Sequence, residues 1–274
     1  MGRRTPLVAL GLALVAGAAS AQQPPAQPQL VVPDKVWPAS AEKVDFAALG
    51  KLPDWRGIWL PVLGGGAGTE PVQKPEIPQL KGKYKTHYDE IQKLIKSGDP
   101  EALLKVERRP SACEPPGMPG IMTQPYDIEF LFTPGRVTMV QEAYMQVRRI
   151  FTDGRPLPED PDPTYNGASV GHWEGDTLVV TTVGLRDGGT MGRWGITYSD
   201  QVRQTERIHL DKGDKNVLVV ENTFEDPKAL VAPWHSVYRF KRQRALEQIE
   251  FVCAQNDRNP INANGEVEFT GVQK

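Results

Sequence analysis

Ser169-Val170-Gly171-His172-Trp173-Glu174-Gly175-Asp176-Thr177-Leu178-Val179-Val180-Thr181-Thr182-Val183 is the stretch on which the fold turns. Two runs of strand-forming residues flank Glu174-Gly175-Asp176. There glycine supplies a positive φ and aspartate can bond its own backbone, so the segment reads as strand, tight turn, strand. The rhythm repeats toward the C-terminus. Residues 204–210 and 217–224 flank Asp211-Lys212-Gly213-Asp214, and 236–240 is expected to pair with 246–253. Sequential hairpins at this spacing indicate an antiparallel meander.

Working upstream, residues 128–132 form a strand, Thr133-Pro134-Gly135-Arg136 a turn, and 137–151 one long strand. The odd positions of that long run (Val137, Met139, Gln141, Ala143, Met145, Val147, Arg149, Phe151) make a mostly apolar face, and its even positions include Glu142, Tyr144 and Arg148. Asp153-Gly154-Arg155-Pro156 ends it, and the proline-rich acidic stretch 156–163 is a stiff loop. A first strand spans 54–60, giving about nine in all. Between the first strand and the second the period changes: Tyr84, Tyr88, Ile91 and Ile95 mark one face of a helix over 81–96, and Asp99 caps a second, short helix ending before Pro110. The expected fold is mainly β, an antiparallel meander closing into a lipocalin-like barrel to remove its edges, with a helical hairpin inserted over about 79–109. The 26 glycines and 25 prolines among 274 residues fit such a punctuated chain and argue against a long-helix bundle.

The N-terminus reads as an address. Arg3 and Arg4 precede a short apolar run over 6–19, and Ala19-Ser20-Ala21 supplies small residues for cleavage, so 1–21 is a signal peptide. Residues 22–50 are a Pro/Gln-rich linker, and 51–274 a single barrel-like domain. No later apolar run is long enough to span a bilayer as a helix. An exported chain with two cysteines favours a Cys113–Cys253 disulfide, two separate thiols being the alternative. The net charge of −2 leaves no basic surplus for a phosphate backbone, so nucleic acid is not an expected partner. Neither cysteine has a neighbour at metal-ligand spacing, and the signatures of serine hydrolases, zinc proteases, kinases and dehydrogenases are missing, so no cofactor or metal is expected.

Two classes of function follow. The first is a periplasmic or secreted protein that binds a small lipophilic or aromatic molecule in the barrel, with Glu142, Met145, Trp173, Trp194 and His235 as candidate contacts. The second is a cofactor-free lyase, isomerase or hydrolase in the same cavity. Glu206 shares parity with Ile208 and Leu210 and so points where they point; buried, it would need either an arginine partner such as Arg148 or Arg239, or a raised pKa suited to proton transfer. His172 is the other acid/base candidate, a core or rim histidine being the alternative, with Tyr144 and Tyr198 as hydrogen-bond donors.

The run Arg148-Arg-Ile-Phe-Thr-Asp-Gly-Arg-Pro-Leu-Pro158, its continuation Asn166-Gly-Ala-Ser-Val-Gly-His-Trp-Glu-Gly-Asp-Thr-Leu-Val-Val180, and the later Glu206-Arg-Ile208 and Phe224-Glu-Asp-Pro-Lys228 resemble a large family of secreted bacterial proteins. That family is common in sphingomonads and acidobacteria and mostly uncharacterised, so the resemblance implies export and no particular activity. Where its members often carry His-Ser-Asp, this chain has Tyr198-Ser199-Asp200. Gly57-Ile58-Trp59 is also similar to the Gly-x-Trp of a lipocalin first strand, which implies an arginine from a late strand, Arg239 or Arg242, stacked on Trp59.

Overall fold

Among the described residues, nine strands close on one another in chain order to form a barrel. They are β1 (Ile58–Pro61), β2 (Ile128–Thr133), β3 (Arg136–Gln141), β4 (Gln146–Phe151), β5 (Ala168–Glu174), β6 (Thr177–Val183), β7 (Arg203–Leu210), β8 (Val217–Glu225) and β9 (Trp234–Gln243), with one long helix, α1 (Gly82–Ser97), after β1. This computed structural model describes residues 45–62, 76–99, 114–191 and 195–251. The segments expected to be a signal peptide, most of the linker and a second short helix, together with Trp194, Cys113 and Cys253, lie outside the described residues. The last linker residues are helical instead, a 3-10 turn over Phe46–Lys51 capped by Asp45.

The barrel is not antiparallel throughout. With an odd number of strands, directions cannot alternate all the way round, so one neighbouring pair must be parallel. That seam is β4 against β5, paired only at Ile150–Ser169 and Phe151–Val170. The loop 152–167 carries the chain back from one end of the barrel to the other, as a parallel pair requires.

The strand number matches the sequence reading, but two assignments within it change. The run 137–151 is two strands, folded back at Glu142–Met145, where Tyr144 and Met145 both take positive φ, 58° and 48°. After the turn the parity reverses: Arg148 and Ile150 are buried, while Val147 and Arg149 are exposed. At the other end of the chain, 246–251 forms no strand. Strand β9 pairs with β8 and β1 instead, and this closes the barrel.

Alternation sets the two faces. In β6, Leu178, Val180 and Thr182 are buried and the residues between them are not. The outer surface carries Arg149, His172, Arg207, Glu221, Arg239 and Lys241, all exposed. Charged outside and largely apolar inside is the reverse of a membrane barrel's polarity. Among the described residues no helix is long and apolar enough to cross a membrane.

The β1–β9 seam explains the Gly-x-Trp signature. Gly57 has φ +106°, and a Cβ there would stand 3.1 Å from the Gln243 carbonyl of β9. Two residues on, Trp59 is fully buried, and the Arg242 guanidinium lies 4.5 Å from its ring centroid. Arg242, not Arg239, is therefore the stacked arginine; Arg239 is exposed and pairs with Asp211.

One end of the barrel, where β2, β4, β5, β7 and β9 begin, is covered. Helix α1 turns Tyr84 and Ile91 inward and ends at Gly98 in the left-handed conformation. Against it packs the loop after β6, where a Cβ at Gly195 would come within 2.8 Å of Ile91. The Tyr84 hydroxyl donates to Asp187 at 2.8 Å, and its pKa is pushed up to about 12 by burial first and then by that carboxylate.

Candidate functional site: the barrel interior

Inward-facing side chains divide the barrel lumen into an aromatic zone and a polar belt. The aromatic zone lies toward the end where β1, β3, β6 and β8 begin. Trp55 packs on Phe130, Phe132 and Trp173 at centroid separations of 5.1, 5.5 and 5.4 Å, and Phe132 meets Trp173 at 5.7 Å. The contacts are edge-on or tilted, as ring quadrupoles prefer. Trp55 and Phe130 are buried, whereas Phe132 and Trp173 keep part of their surface exposed. The buried Trp55 Nε1–H has no acceptor among the described residues.

At the centre of the belt is Arg148. Its Nη1 donates to Glu206 Oε1 at 3.0 Å, its Nη2 to Glu206 Oε2 and to Thr182 Oγ1 (2.8 Å), and its Nε to Ser169 Oγ at 3.3 Å. Ser169 and Thr182 hydroxyls also share a 2.8 Å hydrogen bond. A planar guanidinium matched to a carboxylate with its other protons taken by hydroxyls satisfies a buried charge well. Both oxygens of Glu206 are bound by Arg148, so the geometry selects the structural ion pair over the acid/base role.

Next to Glu206 across the strands, Asn222 and then Ser236 face inward in register. Gln204 Nε2 donates to Asn222 Oδ1 at 2.9 Å. Tyr238, also inward, donates its hydroxyl to the Met191 carbonyl at 2.8 Å. Burial drives the Tyr238 pKa far up; nearby Ser236 opposes this and the charge of Glu206 adds to it.

The residues singled out from sequence scatter. Glu206 and Trp173 are inside the barrel. His172 is not: it is exposed on the outer face, its Nε2 3.1 Å from Glu174, which also takes Arg207. His172 shares its row with Val170, and that row faces out, so His172 and Glu206 lie on opposite sides of the sheet and form no acid/base pair. His235 is likewise exposed, its Nδ1 3.0 Å from Thr223 Oγ1 on the outer face. Glu142, Tyr144 and Met145 occupy the β3–β4 turn, where Tyr144 packs on Phe251 at 5.0 Å, rather than the barrel wall. Tyr198 is buried and gives its hydroxyl to the Met118 carbonyl at 2.6 Å, fastening the covering loop. Beside it, Ser199 Oγ and N both donate to Asp226 at 2.7 Å, so Tyr198-Ser199 acts in closing the covered end.

Gln204, Asn222 and Ser236 went unremarked in the sequence. Their signal was legible: each is a polar residue on the buried parity of its strand, Gln204 with Glu206 and Ile208, Asn222 with Val220 and Phe224, Ser236 with Phe240. Neither the family models nor the curated proteins compared with this chain match it.

Proposed function

We propose that this protein binds a small lipophilic or aromatic molecule inside the barrel, its apolar body against Trp55, Phe130, Phe132 and Trp173. The observation that carries the reading is the quartet itself. Four aromatic rings gather at the end of the barrel away from α1, and the two outermost remain partly exposed although they belong to the inward face. Eight strands already make a barrel wide enough to be filled by side chains or to hold one small ligand, and a ninth widens it. The Arg3-Arg4 pair, the apolar run that follows and Ala19-Ser20-Ala21 support export, and with it a periplasmic or extracellular site of action.

Titration with the neutral probe N-phenyl-1-naphthylamine, read by energy transfer from tryptophan, tests the proposal. Saturable binding is expected, weakened about tenfold by Trp173→Ala, in line with the loss of a buried aromatic contact. Absence of saturable binding, or affinity unchanged in Trp173→Ala, would overturn it. Native mass spectrometry of the purified protein then shows what it carries from the cell.

A further inference from the structure

We infer that the bound molecule presents a neutral hydrogen-bond donor, such as a hydroxyl, phenol or amide N–H, to the polar belt, and is not a carboxylate. This rests on the ligand-binding reading above and specifies its ligand class.

The argument starts from acceptors left without donors. Gln204 is fully buried, and its amide nitrogen is used on Asn222, yet its Oε1 has no donor among the described residues. Ser236, 6% exposed, faces Asn222 from the next strand; its hydroxyl can only donate toward the neighbouring Tyr238 phenol, whose own proton goes to Met191, so Ser236 Oγ receives no donor among the described residues. Gln204 and Ser236 thus flank Asn222, two unpartnered oxygens on one inward-facing patch. Folded proteins rarely leave buried polar atoms unmatched, since each forfeits its hydration for nothing. An oxygen that lacks a donor is completed by a group that brings one.

Charge decides the rest. Among the described residues, the one guanidinium in this belt belongs to Arg148, and Glu206 already neutralises it with two hydrogen bonds. An incoming carboxylate would meet acceptor oxygens, no free cation and the negative charge of Glu206. Burying an unpaired anion there is strongly disfavoured. A neutral hydroxyl or amide meets none of these penalties.

Competition against N-phenyl-1-naphthylamine at pH 8 tests this with three ligands of one chain length: decan-1-ol (a donor), decyl methyl ether (neutral, acceptor only) and decanoate. The alcohol should displace the probe at about fivefold lower concentration than the ether, the worth of one hydrogen bond, although the ether is the more lipophilic. Decanoate should trail the alcohol by about tenfold or more. Ser236→Ala and Gln204→Met should each bring alcohol and ether within about twofold of one another, each ligand being compared within the same variant. An ether equal to the alcohol, a decanoate that matches it, or variants that keep the alcohol's advantage would each overturn the inference; the last outcome means that water alone completes these oxygens. If a variant does not fold, the three-ligand comparison on the native chain still decides. Failure of the probe itself to bind removes the parent reading, whereas probe binding with no alcohol preference removes only this one.

Discussion

Arg148 on β4 and Glu206 on β7, 58 residues apart in the chain, meet as a two-point ion pair in the barrel interior, with side chains 1% and 0% exposed. No covalent or local link brings them together. Each is buried because its strand is, and each is tolerated there because the other is present. Removing one partner strands the other charge. Glu206→Gln and Arg148→Met should therefore each lose about 3–5 kcal/mol in urea unfolding. The double variant Arg148→Met/Glu206→Leu should lose less than either single change. Additive losses would show that the two side chains do not act as a pair.

The β1–β9 seam depends on Gly57, Trp59 and Arg242. Arg242 also donates to the Asp54 carbonyl at 2.5 Å. Arg242→Met should cost about 2 kcal/mol through the desolvated cation–π contact. Gly57→Ala places a side chain at φ +106° against the β9 backbone and should cost at least about 1 kcal/mol. Hydrogen exchange is the sharper readout: amides of β1 and of residues 240–243 should exchange faster in both variants while β6 and β7 stay protected.

Asp226 organises the covered end. Its carboxylate accepts from Ser199 N and Oγ and from the backbone N–H groups of Lys228 and Ala229, at 2.7–3.0 Å. Asp226→Ala strands buried donors and should lose about 3 kcal/mol or more. Asp200→Ala, which breaks only an exposed pair with Lys228, should lose less than about 1 kcal/mol. Equal losses in the two variants would refute this assignment.

Glu142 makes stability depend on pH. Burial raises its pKa, and the charge and hydrogen bond of Asp127 raise it further, partly offset by a backbone bond from Ile249. Glu129 and Glu247 stand near the same carboxylates, and Gln248 donates to Asp127 at 2.8 Å. A carboxyl group whose pKa is higher folded than unfolded favours folding while protonated, and that contribution is lost as pH rises through the folded value. Glu142→Gln keeps the neutral form at every pH. Its Tm should match the native chain below about pH 4 and exceed it at pH 7. A lower Tm at pH 7 would count against this account.

The proposed export carries with it a proposed Cys113–Cys253 disulfide. Thiol titration of the unreduced, denatured protein from the periplasm should find none. Two titratable thiols would mean that they remain separate.

Period-2 alternation and turn residues were enough to read most strands, because burying one face of a strand and fitting Gly175 or Gly135 into a turn are local requirements. Steps of three and four residues placed a helix on Tyr84, Tyr88 and Ile91, and the resemblance of Gly57-Ile58-Trp59 to a lipocalin first strand implied an arginine over Trp59. The break in 137–151 was not legible. Its turn uses Tyr144 and Met145 at positive φ where no glycine announces one, and the packing of Tyr144 on Phe251 helps hold it. Residues 246–251 carry strand-forming side chains, yet β1 already occupies the edge of β9 that they would have needed.

From its sequence alone this chain reads as a β-meander with a Gly-x-Trp first strand and a Glu206 that shares a face with Ile208 and Leu210. Alternation states which residues share a face. It does not state which face is inside, because that depends on how strands far apart in sequence close on one another. Only closure put His172 outside and Glu206 inside, matched Arg148 to Glu206, and set Gln204 and Ser236 beside Asn222 with oxygens that still lack a donor.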